Sequence, residues 1–286
     1  MRKVGYFFAS FLPFIFVLFI QLLATVFLEG MAALFLLWTE KDEFYFDALM
    51  TMSSDLNFNY TLMIVYSLIS IMVFSLWYYR SCGGVFLPKF SKTFNGLQIF
   101  GVIVMVPGAQ FACSLLMGII AALIPSWMEQ YERLIESSGL DSTLTVPLFL
   151  YAVLLGPICE ELIFRGVTMR LARQALPFFL ANLLQAVLFG AFHLNWMQGC
   201  YAFALGLLLG FVCERGGSIY YSILLHILFN FWGTVISPLL GEIDDEALFL
   251  IVIFAGTILS LAVGLTLFIL GISRKKRRGT NENSPQ

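Results

Sequence analysis

Charge is scarce in this chain, and histidine is almost absent. Of its 286 residues, 12% are charged and 60% are hydrophobic, and only two are histidines. A soluble globular domain is about a quarter charged and about half apolar, so the composition argues against a soluble protein. No basic stripe alternates with aromatic residues, and no nucleic-acid partner is expected.

Clustered cysteines are missing too. The five cysteines are scattered along the sequence and form no CxxC pair, which argues against a thiolate metal site. We expect them to be reduced and to pack as small hydrophobic side chains. They are Cys82, Cys113, Cys159, Cys200 and Cys213.

The sequence contains several long runs of apolar residues without charges. Roughly 20 apolar residues cross a bilayer as a helix, so these runs predict an all-α polytopic membrane bundle of about eight transmembrane helices. The run after Arg2 and Lys3 is too long for the apolar part of a signal peptide and is predicted to be a retained first span. The spans are expected at about 4–28, 57–79, 97–124, 147–173, 177–194, 198–213, 217–237 and 247–272.

Positive charge is concentrated on one side of these spans. Eight spans place both termini on the same side, and 14 of the 16 lysines and arginines fall there. Lys41 and Arg133 fall on the opposite side, where the loops are acidic. Because cytoplasmic loops carry an excess of Lys and Arg, both termini are predicted to be cytoplasmic.

Three spans carry polar groups that hydrocarbon cannot solvate, which marks them as functional candidates. His193 and His226 lie in two of them, and Glu160 lies in a third. Counted along helices at about 1.5 Å per residue, Glu160, His193, His226 and Asn230 lie roughly 16–24 Å from the cytoplasmic ends of their spans. We therefore expect them to meet in one layer of the membrane.

The local spacing predicts how these groups are arranged. Glu161 and Arg165 are i,i+4 neighbours and can pair on one face of a helix. Glu160 points about 100° away from Glu161 and is free to face a cavity. Gly156 and Pro157 come one turn earlier, and the proline can kink the helix and open space there.

These residue types suit hydrolysis within the membrane, by either of two routes. A carboxylate and an imidazole that share a water can deprotonate it, while a second histidine and an Asn amide donate hydrogen bonds to an oxyanion. Alternatively, Glu160, His193 and His226 could bind a divalent metal such as Zn²⁺ with one position left for water. Asn is a poor zinc ligand, so Asn230 favours the first route.

Three short motifs match a known family. Residues 160–166 read EELIFRG and contain EExxxR, residues 189–193 contain FxxxH, and residues 226–230 contain HxxxN. In this order the chain resembles the CAAX protease and bacteriocin-processing (CPBP, or Abi) family of intramembrane proteases, which is related to the type II CAAX prenyl endopeptidases. The resemblance covers about residues 145–235 and the eight-span layout.

The resemblance implies an endopeptidase that acts on a peptide or membrane protein, in a bacterial cell membrane. Glu160 and His193 would activate water, His226 and Asn230 would stabilise the oxyanion, and Glu161 and Arg165 would support the site. The family is named for metalloproteases, and a metal-free glutamate mechanism is the alternative. We divide the chain into N-terminal spans (1–144), a catalytic core (145–237), and a last span with a basic tail (238–286).

Other interpretations compete with this one. Buried Glu, His and Arg also build proton paths in transporters, although the sequence shows no internal repeat of the kind that transporters use. A non-proteolytic immunity or scaffold protein could share the same fold. Ala202, Gly206 and Gly210 form a small-xxx-small row, which predicts close helix packing, and Trp196 and Trp232 are expected at the interface or in helix contacts.

Overall fold

The computed structural model describes residues 2–39, 45–81, 94–139, 144–239 and 246–282. All regular elements in these ranges are helical, which confirms the all-α prediction. Within these ranges, seven segments are long and apolar enough to cross a membrane, and one further apolar helix is shorter. The helices are α1 (Arg2–Ala9), α2 (Leu12–Thr39), α3 (Tyr45–Ser54), α4 (Leu56–Ser81), α5 (Gly96–Leu123), α6 (Pro125–Ser138), α7 (Val146–Ala175), α8 (Phe178–Phe192), α9 (Trp196–Gly216), α10 (Ile219–Leu239) and α11 (Glu246–Glu282).

The predicted spans agree with these helices, with differences at the ends of the chain. The first span is longer than expected, because α1 and α2 together cover Arg2–Thr39, and α11 continues past the predicted end at residue 272. Cys113, Cys159, Cys200 and Cys213 are unpaired, as expected. Cys82, Lys41, Lys89 and Lys92 lie outside the described residues, and the orientation of the termini stays a prediction.

Two helices, α3 and α6, occupy regions that were predicted to be acidic loops. Pro125 at the first position of α6 and Gly139 in the left-handed region (φ 66°) set the bounds of α6, as is usual for helix ends. One of its faces packs on α9: Trp127 stacks on Trp196 with ring centroids 5.4 Å apart, and Tyr131 meets Tyr201 edge-on at 6.2 Å. Trp196 is thus a helix-contact residue.

Helix α7 lies at the centre and contacts α2, α4, α8 and α10. It is continuous through Arg165, but it is not regular: Leu150–Leu155 and Leu162–Thr168 are π-helical turns. Gly156 and Pro157 stand between them, and the Gly156 amide donates to the Tyr151 carbonyl five residues earlier. The irregularity expected around the proline therefore takes the form of wide turns before and after residues 156–161.

Helix α8 is short and runs antiparallel to α9. Its 15 residues extend about 22 Å, less than the roughly 30 Å of a hydrocarbon core. The guanidinium of Arg215 lies 5.8 Å from the Phe178 ring centroid at one end, and Gly190 meets Gly199 near the other, where an added Cβ on Gly190 would lie 2.6 Å from the Gly199 carbonyl oxygen.

The chain turns between α8 and α9 at 193–195, slightly before the predicted break between the spans 177–194 and 198–213. The amide of His193 donates to the Gly190 carbonyl (3.2 Å), and that of Leu194 donates to the Ala191 carbonyl (3.3 Å). Leu194 has φ 54°, and the side chain of Asn195 accepts from the Gln198 amide to begin α9. His193 is thus the residue at which α8 ends.

Helices α5 and α11 form a second close interface, the α5–α11 seam, lined by glycines. An added Cβ on Gly101 would lie 2.7 Å from the Phe268 amide nitrogen, and one on Gly264 would lie 2.8 Å from that of Met105. Backbone therefore meets backbone along this seam. Near the beginning of α5, the Tyr221 hydroxyl of α10 donates to Gln98 Oε1 at 2.9 Å. This hydrogen bond joins two uncharged groups.

Candidate active site

Glu161 and Arg165 form the i,i+4 ion pair that their spacing predicts. Arg165 Nη1 lies 2.8 Å from Glu161 Oε1, and both side chains are 0% exposed. Arg165 Nη2 also donates to the Gly206 carbonyl on α9 at 3.2 Å, and its guanidinium carbon lies 4.4 Å from the centre of the Phe189 ring. A buried ion pair requires such additional contacts, because desolvation opposes its Coulomb attraction.

His226 lies between the two neighbouring glutamates. Its Nδ1 is 2.9 Å from Glu161 Oε1, and its Nε2 is 3.6 Å from Glu160 Oε2. The imidazole is buried, whereas the Glu160 side chain keeps 16% of its surface exposed. Glu160 therefore faces away from the Glu161–Arg165 pair, as its position on the helix predicts, and it faces His226.

The hydrogen-bond partners fix the tautomer of both histidines. Glu161 is ionised beside Arg165, and a carboxylate can only accept, so His226 carries a hydrogen on Nδ1. His193 Nδ1 lies 2.9 Å from the Phe189 carbonyl oxygen, which also can only accept. In both rings Nε2 is thus the nitrogen left for a water or a substrate.

Phe189 joins the groups that the three helices supply. Its ring centroid is 5.0 Å from that of His193 and 5.7 Å from that of His226, edge-on in both cases. The side chain is 1% exposed. His193 also interacts electrostatically with Glu160 and His226. Helices α7, α8 and α10 thus bring Arg165 and both histidines around one aromatic ring.

Asn230 lies one turn after His226 on α10 and contacts α7. Its amide nitrogen donates to the Ala152 carbonyl at 2.8 Å, within the first π-helical turn of α7. One residue earlier, the Phe229 carbonyl accepts from Gln110 Nε2 on α5 at 2.9 Å. The amide group of Asn230 is therefore held between helices, and it keeps a second N–H hydrogen for another acceptor.

Several contributors to this arrangement were missed at the level of the sequence. The i,i+4 spacing of Phe189 and His193 predicts that they share a helix face, but it does not predict the contacts of Phe189 with His226 and Arg165. Asn182 and Gln185 on α8 are 7% and 0% exposed, and Gln185 Nε2 donates to the same Gly206 carbonyl as Arg165, at 2.9 Å. Uncharged polar residues inside an apolar run were the available signal.

The predicted metal set consists of Glu160, His193 and His226. Among the residues that the structure describes, no three His, Cys, Asp or Glu side chains are placed so that they could hold a metal ion. The hydrogen bond of His226 Nδ1 with Glu161 leaves Nε2 open, which is also the usual arrangement of a metal-bound histidine. Zn²⁺ ligation by these residues stays a prediction.

Comparison with known proteins bears on the same part of the chain. Residues 142–232 match a family model described as type II CAAX prenyl endopeptidase Rce1-like. All six predicted site residues, from Glu160 to Asn230, fall within the matched segment. Searches of the curated proteins and of the solved structures give no match. The match is confined to about a third of the chain, and over these residues it confirms the resemblance to CAAX-protease-like proteins that the three motifs indicate.

Proposed function

We propose that this protein is an intramembrane endopeptidase that hydrolyses a peptide bond with a water activated by Glu160. The observation that carries the proposal is the position of Glu160: a partly exposed carboxylate beside an imidazole whose other nitrogen is fixed by a buried ion pair. Its substrate is a peptide or a membrane-anchored protein. The protein resides in a bacterial cell membrane with both termini in the cytoplasm.

In the proposed first step, Glu160 removes a proton from a water while the water oxygen bonds to the scissile carbonyl carbon. His193 Nε2 accepts the second hydrogen bond of that water and orients it. Because its Nδ1 is held by the Phe189 carbonyl, the ring cannot rotate away without losing that bond. Water is thus activated by a carboxylate and positioned by a fixed imidazole.

The oxyanion that forms is stabilised by His226 and by the second amide hydrogen of Asn230. Since His226 Nδ1–H donates to Glu161, donation from Nε2 requires the imidazolium form. In this intermediate Glu160 is protonated and neutral, so the negative charges of Glu161 and the oxyanion are balanced by the positive charges of Arg165 and His226. In the second step the C–N bond breaks, and Glu160 returns its proton to the leaving amine nitrogen.

The test compares cells that express the wild-type chain with cells that express Glu160→Gln. Labelling of protein N-termini followed by mass spectrometry should find new termini that appear only with the wild type. The matched control is Glu214→Gln, because Glu214 is an exposed carboxylate paired with Arg173 at 3.0 Å, away from the site. We expect Glu214→Gln to generate the same termini as the wild type.

Membrane insertion of each variant is checked by fractionation and by detergent-solubilised yield. A correctly inserted Glu160→Gln protein that still produced all the wild-type termini would contradict the peptidase proposal. If no wild-type-specific terminus were found while Glu160→Gln abolished the cellular phenotype, the site would be in use without proteolysis.

A further inference from the structure

Two amides on α8, Asn182 and Gln185, form a polar unit inside an otherwise apolar helix pair. We call them the amide pair. Gln185 Nε2 donates to Asn182 Oδ1 at 2.7 Å, and Asn182 Nδ2 donates to the Leu207 carbonyl on α9 at 3.0 Å. With 7% and 0% exposure, neither side chain has water to replace these bonds, so the pair has a defined geometry.

The glycines of α9 make room for the amide pair. An added Cβ on Gly210 would lie 1.9 Å from Asn182 Oδ1 and 2.7 Å from Gln185 Nε2. On Gly206 it would lie 3.2 Å from Cα of Ala186. Gly210 therefore serves more than the helix packing that the small-xxx-small row predicted, because its missing side chain is the space that the amide pair fills.

The Gly206 carbonyl connects the amide pair to the candidate active site. It accepts from Gln185 Nε2 at 2.9 Å and from Arg165 Nη2 at 3.2 Å. Arg165 then binds Glu161 (2.8 Å), and Glu161 binds His226 Nδ1 (2.9 Å). A continuous series of buried hydrogen bonds thus joins Gln185 to the ring that faces Glu160.

A simple helix-packing role does not account for where the amide pair is placed. The carbonyls of Gly206 and Leu207 lie inside a regular helix, where amides four residues later already satisfy them. Gln185 Oε1 and Arg165 Nε, an acceptor and a donor on the two side chains that share the Gly206 carbonyl, are both buried with no hydrogen-bond partner among the described residues. The amide pair therefore lies next to the Arg165 guanidinium, and its side chains carry no charge.

We propose that Gln185, held by Asn182, is a positioning residue of the site: it sets the place of Arg165 and, through Glu161, the orientation of His226. This inference rests on the proposed function for its catalytic meaning, but the positioning itself can be measured without a substrate. A neutral amide holds the guanidinium without competing with Glu161 for its charge. A carboxylate at position 185 would compete with Glu161 for the positive charge of Arg165.

The chain has only two histidines, so the orientation of His226 can be observed directly. We suggest imidazole ¹⁵N and ¹H NMR of the histidine-labelled full chain in lipid nanodiscs, with the two rings assigned by a His193→Gln sample. Gln185→Met removes the amide at similar volume, and Gln185→Glu adds a competing charge. Gln98→Met is the matched control, because it removes an equally buried amide (1% exposed) that binds Tyr221.

We expect the Nδ1–H resonance of His226 to shift or broaden in Gln185→Met and to move further in Gln185→Glu. That of His193, bonded to its own helix, should stay in place, and Gln98→Met should leave both unchanged. Once a cleaved substrate is known, kcat of Gln185→Met should fall about tenfold or more with KM little changed, because displaced catalytic groups slow the chemical step.

An unchanged His226 resonance in folded Gln185→Met protein would overturn the positioning role even if the protein proves to be a peptidase. A shifted resonance in a protein that shows no Glu160-dependent cleavage would support the positioning role while the proposed function fails. If Gln185→Met does not fold, Asn182→Leu offers a second variant of the same unit, with the same expected shift of His226.

Discussion

Two glycine-lined interfaces in this protein look alike in sequence but differ in what they hold. In the α5–α11 seam, Gly101 and Gly264 let backbone approach backbone, and the associated polar contacts are neutral. Between α8 and α9, the missing side chain of Gly210 leaves room for two amides, and the Gly206 carbonyl accepts from Gln185 and Arg165. Small residues therefore permit close approach of the helices in both places. The neighbouring side chains determine whether the interface only packs the helices or also contributes to the site.

The largest expected effect is that of Arg165→Met, which leaves Glu161 as a buried carboxylate without its cation. Breaking such a pair from one side costs about 3–5 kcal/mol, so we expect the free energy of unfolding to fall by that order. SDS titration in mixed micelles measures it. In the α5–α11 region, Gln98→Met removes one neutral hydrogen bond and should cost only about 1 kcal/mol.

The double variant Glu161→Gln with Arg165→Met serves as the control for charge. It removes both members of the pair, so much of the lost stability should return. A double variant no more stable than Arg165→Met would mean that the loss comes from packing around Phe189 rather than from an unpaired carboxylate.

Effects of intermediate size are expected when a glycine of each interface is replaced by alanine, and the two replacements should affect stability and cleavage differently. In Gly264→Ala the new methyl meets the Met105 backbone, so the helices must part, at a cost of about 1–3 kcal/mol. In Gly210→Ala it meets the ends of the Asn182 and Gln185 side chains, which can move without parting the helices but lose a buried hydrogen bond, at a cost of about 1 kcal/mol. We expect Gly264→Ala to lower stability and spare cleavage, and Gly210→Ala to spare more stability but slow cleavage about tenfold or more.

Unfolding in mixed micelles and the rate at which the Glu160-dependent termini appear provide the two measurements. The comparison fails if the two glycine variants lower stability and cleavage in the same proportion, because the α8–α9 glycines would then be packing residues like those of the seam.

The smallest effect is expected where the ion pair is exposed. Arg173 and Glu214 lie 3.0 Å apart, with 36% and 31% of their side chains exposed. Exposed pairs contribute about 0–1 kcal/mol, so Arg173→Gln should change the unfolding midpoint little, and less still at high salt. A loss comparable to that of Arg165→Met would show that exposure does not separate the two pairs.

The sequence predicted the spans because hydrocarbon excludes charge, and charge-free runs therefore mark them reliably. It predicted the Glu161–Arg165 contact because i,i+4 spacing fixes neighbours on a helix. It did not predict α3 and α6, because acidic residues between apolar runs indicate solvated loops, although Trp127 and Tyr131 repeat at helical spacing. Apolar patterning also cannot reveal π-helical turns, since the same residues satisfy either kind of helix.

The contacts between helices were the least accessible to sequence reasoning. The depth of His226 predicts that it meets Glu160, but its closer contact is with Glu161, which was not predicted. That contact depends on how α10 is rotated against α7, which no local pattern encodes. Gln185 was overlooked because an uncharged amide in an apolar run resembles a packing residue until its partner, the Gly206 carbonyl, is known.

At the end of α8, the two ring nitrogens of His193 have different roles: Nδ1 binds the helix backbone, and Nε2 faces the site. The His193 amide donates to Gly190 rather than to Phe189, and the imidazole Nδ1–H caps the Phe189 carbonyl in its place. Both the neutral and the protonated ring keep that hydrogen, so Nε2 can gain or lose a proton while the helix stays closed. Nε2 can therefore change its hydrogen-bond partner while the last carbonyl groups of α8 keep theirs, as an apolar surrounding requires.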